Sequence, residues 1–198
     1  MPRPQLYDDA LRADLVHHAA TAIAEGGVAN LSLRSVAAAA GTSTNAVYTL
    51  FGGRPGLVEA ALSTAAAGFT AAQQAVPVTD DPVADLLGLG RAYRSWAVAH
   101  PELYTVMFGG RVPMPPMEIP PAGAEADESI NPLVQTVLRL VDRGVFSGAP
   151  VEHIVQAIWA SVHGMVSLEI AVWRDRAESD KQALYLAQLR AIVRGWST

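Results

Sequence analysis

Apolar residues recur at three- and four-residue intervals along nearly the whole chain, and nowhere do β-branched residues alternate with polar ones over the length of a strand. That pattern predicts an all-α protein. Leu11, Leu15, Ala19, Ala22 and Ile23 make the first stripe, with Asp8 and Asp9 where acidic groups favour a helix start and Gly26-Gly27 at its end. A first helix over about Tyr7 to Glu25 follows. Ser32 is placed to cap a short second helix, Leu33 to Ala40, which Gly41 ends, and Ser43 or Thr44 caps a third that reaches about Leu50. Pro55 suits the first turn of a fourth helix, where its missing N–H has no partner to lose, and apolar spacing carries that helix to about Ala75.

A fifth helix is predicted from Pro82 to Ala99, closed by His100-Pro101 because the residue before proline avoids the α region, and a short one from Glu102 to Phe108. Between Gly109 and Asn131 the chain carries Pro113, Pro115, Pro116, Pro120 and Pro121, then Glu125, Asp127 and Glu128. Such a composition sustains no regular helix and predicts a long loop. Helices resume at about Pro132 to Phe146, Val151 to Arg174 and Lys181 to Trp196.

At 198 residues the chain can bury a sizeable core as one domain or two. Cysteine is absent, which excludes disulfides and thiolate metal sites and agrees with a reducing compartment. Charges near the N-terminus interrupt the apolar run a signal peptide needs. The most apolar stretch, Ile154 to Val172, contains His163, Gly164 and Glu169 and reads as a buried helix rather than a membrane span. The expectation is a cytoplasmic protein with no membrane partner.

Catalysis has no anchor. His17-His18 point to different faces, no His-x-x-x-His pair occurs, and there is no Gly-x-Ser-x-Gly, phosphate-loop or dinucleotide fingerprint. No enzyme activity, metal or cofactor is expected. Asp80-Asp81 and Asp127-Glu128 read as solvated loop charge.

The informative stretch is the junction at Gly41. Two short helices meeting at a glycine and packed by Val36, Ala37, Val47 and Leu50 have the spacing of a helix-turn-helix. The second helix then presents Thr42, Ser43, Thr44, Asn45, Tyr48 and Thr49, small hydroxyl and amide groups that reach base edges or phosphates in a major groove. In isolation the same pattern fits a plain helical hairpin whose polar residues are caps. Charge weighs against DNA binding: the net charge is −5, and residues 1–62 set Arg3, Arg12, Arg34 and Arg54 against Asp8, Asp9, Asp14, Glu25 and Glu59.

From Leu31 to Leu62 the sequence LSLRSVAAAAGTSTNAVYTLFGGRPGLVEAAL resembles the DNA-binding region of TetR-family transcriptional regulators, whose helix-turn-helix ends in a tyrosine-x-x-phenylalanine. The resemblance implies an N-terminal three-helix bundle, residues 1–53, joined to a helical ligand-binding and dimerisation domain, residues 54–198. It places Tyr48 and Arg54 on phosphates, Arg34 near the backbone or a base edge, and Ser43, Thr44, Asn45 and Thr49 toward the groove. Leu50 and Pro55 stand where the family has polar or acidic residues, which removes backbone contacts and implies modest affinity or reliance on dimerisation.

The segments WAVAHPELYTVMFGG and IWASVHGMVSLEIAVW are similar to the Trp-His-Gly subclass of C-terminal domains, through Trp159, His163 and Gly164. A mostly apolar inducer cavity is expected, with Tyr93, Trp96, Met107, Phe108, Trp159 and His163, large side chains from segments distant in sequence, as its candidate residues, and the resemblance implies that it lies beside the fourth helix. Core filler is the plainer role for Trp159 and His163. The eighth helix is apolar over more than one face through Ile154, Ile158, Val162, Met165, Val166 and Trp173, and Tyr185, Leu189, Ile192 and Trp196 give the ninth a matching stripe. The eighth helix can thus serve the monomer core and a partner together, and a homodimer through these two helices is expected. The leading reading is a ligand-responsive repressor that binds a palindromic operator in double-stranded DNA as a dimer, with an unidentified small-molecule effector. The alternatives are a small-molecule-binding helical protein without DNA function and a structural helical dimer.

Overall fold

The computed structural model describes residues 9–110, 112 and 127–197. The expected start of the first helix at Tyr7 and the proline-rich loop over 113–126 lie outside the described residues. Within them the chain forms nine α-helices and a 3₁₀ turn at Val28–Asn30, with an isolated bridge between Phe146 and Ser197 as the one extended pairing. The helices are α1 Asp9–Gly26, α2 Leu33–Ala39, α3 Thr44–Phe51, α4 Arg54–Gln74, α5 Pro82–Ala99, α6 Pro101–Phe108, α7 Asn131–Asp142, α8 Val151–Ala171 and α9 Glu178–Trp196.

Caps set most of these boundaries. Ser32 accepts a hydrogen bond from the Ser35 N–H at 3.2 Å and starts α2. At the other end the Gly41 and Thr42 N–H groups donate back to the Ala38 and Ala37 carbonyls at 3.1 and 2.8 Å, a closure that needs Gly41 at φ 65°. The same closure explains why α7 stops at Asp142 instead of running to Phe146: Gly144 turns left-handed, and the Gly144 and Val145 N–H groups satisfy the Val141 and Leu140 carbonyls. Helix α8 ends at Ala171 rather than Arg174. Helix α9 starts at Glu178 rather than Lys181, with Glu178 and Asp180 at its positive end.

The chain divides into two compact units, one formed by 1–67 with 100–115 and the other by 68–99 with 116–198. This division does not fall at the expected 53/54 boundary. In the first unit α1, α2, α3 and the start of α4 enclose Leu15, Ala19, Ile23, Leu31, Val36, Val47 and Leu57, and α6 packs along α1 and adds Val106. In the second, α5, α7, α8 and α9 enclose Leu86, Leu89, Val137, Leu140, Phe146, Ile154 and Ile158. Helices α5 and α9 approach closely at Gly90, where a Cβ would stand 2.5 Å from Leu189. The Tyr185 hydroxyl donates to the Gly90 carbonyl at 2.7 Å across that contact.

Ile154, Ile158, Val162 and Val166 of α8 serve the core of their own unit, as do Tyr185 and Leu189 of α9. An apolar run of 3.6 periodicity goes first to the nearest core, and the outward face of α8 carries Ala160, Leu168 and Ala171 together with His153 and Gln156. Leu168, Val172 and Leu184 are the large apolar side chains left exposed there, at 42%, 64% and 38%.

Candidate nucleic-acid interface and ligand cavity

Helix α3 is held by its apolar side and by its C-terminus. Ala46 and Val47 are buried, while Ser43, Thr44, Asn45, Tyr48 and Thr49 are exposed, so the polar residues share the outward face. Gly52, left-handed at φ 70°, ends the helix. Arg12 of α1 donates to the Leu50 carbonyl at 3.1 Å and lies 4.6 Å over the Phe51 ring, a cation at the negative end of α3. Sequence reading missed this role for Arg12, because a contact between positions 38 residues apart leaves no local pattern.

The polar side chains differ in what they offer. Ser43 occupies the N-cap position of α3 without making a side-chain cap bond, so its hydroxyl is not committed to the helix. The Thr49 hydroxyl donates to the Asn45 carbonyl at 2.9 Å, which leaves its lone pairs and methyl outward. Asn45 is exposed and carries the donor–acceptor pair that matches an adenine edge. Tyr48 is 59% exposed. With Ser32, Leu33, Gly53 and Arg54 it lines an open groove between the starts of α2 and α4. Two helix N-termini, a phenol and a guanidinium around one groove suit a phosphate. Arg34 is exposed on α2 outside this groove, and Thr42 is half-buried in the turn.

In the second unit a slot runs between α4, α5, α7, α8 and α9, lined by Phe69, Gln73, Leu89, Tyr93, Trp159 and Leu189 among others. It is narrow, with a cavity volume of about 30 Å³. Of the expected ligand residues, Tyr93 and Trp159 line it. Trp96 packs edge-on against Phe69 at 5.3 Å from behind. His163 also sits behind the wall: its Nδ1 is 3.1 Å from the Tyr93 hydroxyl and its ring 5.5 Å from that of Trp159. Burial holds the His163 imidazole below its usual pKa, which favours the neutral ring in this contact. Met107 and Phe108 belong to α6 in the first unit and do not line the slot.

Phe69 and Gln73 of α4 were missed as candidates. The signal was present: they are four apart, on one helix face, and Gln73 is a polar residue on an apolar stripe. Nearby charges are paired. Asp85 is buried and accepts from Thr79 and, at 2.6 Å, from Arg139; burial pushes its pKa up, and these bonds outweigh it and hold the carboxyl low. Glu169 receives Arg94 in two bonds of 2.8 and 2.6 Å, and Arg94 also reaches Glu178.

Two family descriptions match the chain: "Bacterial regulatory proteins, tetR family" over residues 15–61 and "Tetracyclin repressor-like, C-terminal domain" over residues 86–192. The second match carries no support for the Trp-His-Gly subclass. An HTH-type transcriptional regulator of Mycobacterium tuberculosis is 26% identical over 218 aligned positions, covering 93% of this chain and 92% of that one. The TetR family transcriptional regulator PfmR from Thermus thermophilus shares the fold with a TM-score of 0.72 at 19% identity, over 91% of this chain and 97% of its own. A TetR variant from Acinetobacter baumannii, solved in complex with minocycline, shares it with a TM-score of 0.59 at 16% identity, over 96% of each chain.

Proposed function

This chain belongs to the TetR family of bacterial transcriptional regulators, and on that premise we propose that it is a ligand-responsive repressor that binds a palindromic operator as a homodimer. The observation that carries the reading is the outward face of α3, where Ser43, Thr44, Asn45, Tyr48 and Thr49 stand exposed on a helix fixed from behind by Val47 and Arg12. Asn45 reads a base edge, and Ser43 and Thr44 reach bases or phosphates. Tyr48 and Arg54 grip the phosphate beside them, and Arg34 adds a second backbone contact.

Dimerisation uses the outward faces of α8 and α9, where Leu168, Val172 and Leu184 are exposed and Gly164 and Gly195 have open space beside them. A two-fold pair sets the two recognition helices about 34–36 Å apart, one turn of duplex. Helix α4 supplies the response. Its first residues belong to the unit with the helix-turn-helix, and its last two turns bring Phe69 and Gln73 to the slot. A ligand that widens the slot displaces α4, and it releases DNA only by binding the DNA-free arrangement more tightly. The minocycline complex of the Acinetobacter protein supports this reading by analogy. The site of action is the cytoplasm.

Selection of bound fragments from genomic DNA by the purified protein tests the proposal. Recovered sites should contain an inverted repeat and bind one dimer or more. A protein that stays monomeric at micromolar concentration while binding single half-sites would overturn the dimeric reading, and recovery of random fragments would overturn specific recognition.

A further inference from the structure

The slot in the second unit holds a polar atom with no partner. Gln73 is 5% exposed, and its Nε2 is buried without a hydrogen bond. A buried amide N–H left unpaired is costly, so such groups in folded proteins are rare and mark a place where something else binds. The other polar groups at the wall are engaged. The Tyr93 hydroxyl meets His163, the Ser129 hydroxyl donates to Asp127 at 2.5 Å, and the Gly90 carbonyl accepts from Tyr185. The rest of the described lining is aliphatic or aromatic, with no charged side chain.

Gln73 also borders a more open groove, in which Asp85 pairs with Arg139, the Thr136 hydroxyl with the Pro132 carbonyl and Gln135 with Asn131, and to which Gln74 adds an exposed amide. The buried unmatched donor belongs to Gln73, at the edge of an apolar slot.

We propose that the effector, on the reading that this slot is the inducer site, is an uncharged, mainly apolar molecule with a hydrogen-bond acceptor, such as a ketone, ester or lactone carbonyl, which takes the Gln73 Nε2–H. A carboxylate is disfavoured, because the described wall supplies no cation to offset its desolvation. The narrowness of the slot adds a second property: the molecule enters as a chain or thin ring and widens the slot between Phe69 and Trp159.

The test uses the full chain and a panel of 2-decanone, ethyl octanoate and δ-decalactone against decanoate, by calorimetry and thermal shift below the concentrations at which these probes aggregate. At least one neutral carbonyl compound should bind and raise Tm, while decanoate does neither. Gln73→Leu and Gln73→Met should each weaken that compound about five- to tenfold, the loss of one hydrogen bond. Circular dichroism checks that both variants fold. Equal or tighter binding of decanoate, no binding by any neutral compound, or full affinity in both variants overturns the ligand class. A compound that binds through Gln73 yet leaves affinity for the selected DNA unchanged supports the ligand class and removes the inducer reading instead.

Discussion

Replacing Gln73 by leucine should make the ligand-free protein more stable. The wild-type side chain keeps an unpaired Nε2 beside Phe69, Leu86 and Leu89, and an unsatisfied buried polar group costs about 1–3 kcal/mol. Leucine has similar length, carries no polar atom and meets the same apolar wall. The expected effect is a stabilisation of about 1–3 kcal/mol, or a Tm rise of roughly 3–9 °C in a chain of this size. Tryptophan fluorescence in urea is the suitable assay, because Trp96, Trp159, Trp173 and Trp196 all lie in the second unit and report its unfolding. A destabilisation beyond about 1 kcal/mol would show that the amide is satisfied in the folded protein, and the argument for a ligand acceptor would fall with it.

Arg94→Ala should destabilise the second unit by about 2–4 kcal/mol in the same assay, less than for a fully isolated charge because Lys181 remains 3.9 Å from Glu169; a loss under 1 kcal/mol would mean that Glu169 is solvated. His163 has a folded pKa below its unfolded value near 6.5, so the unfolded state takes up protons first and stability should fall as pH drops below about 6.5; His163→Gln should flatten that slope, and an unchanged slope would assign it elsewhere. Asn45→Ala should alter preference at one base pair by about 1–3 kcal/mol, whereas Arg54→Ala should weaken all sequences alike; equal losses on operator and random DNA for Asn45→Ala would remove it from base readout. With Arg34 and Arg54 as the arginines proposed to meet phosphates, a dimer neutralises about four of them, and log–log salt titration should give a slope of about −4; a slope near −8 would require cations beyond these two.

Periodicity and punctuation alone determined most of the secondary structure. Ser32, Gly41, Pro55 and His100-Pro101 act within a few residues of chain, so their effect on α2, α4 and α5 was legible, and α5 runs from Pro82 to Ala99 as expected. The sequence also determined the outward residues of α3, because a helix of eight residues with Ala46 and Val47 on one side has Asn45, Tyr48 and Thr49 on the other. Overruns occurred at α7 and α8, where apolar residues continue past the helix end: Phe146 is a core residue reached by a turn at Gly144, and periodicity does not distinguish a helical core residue from one beyond it.

What only the tertiary structure decided is which faces meet. Met107 and Phe108 looked like cavity residues because they are large and apolar, yet α6 packs along α1, a pairing between segments about ninety positions apart. Arg12 became the cap of α3, and of the apolar residues on α8 the fold sent Ile154, Ile158, Val162 and Val166 to the core. Gln73 changed meaning most. In the sequence it is one polar residue late in a helix; in the fold it is a buried donor without a partner. Local rules act over one or two turns and are written in adjacent residues, whereas burial and hydrogen-bond satisfaction depend on atoms that the chain brings from far away.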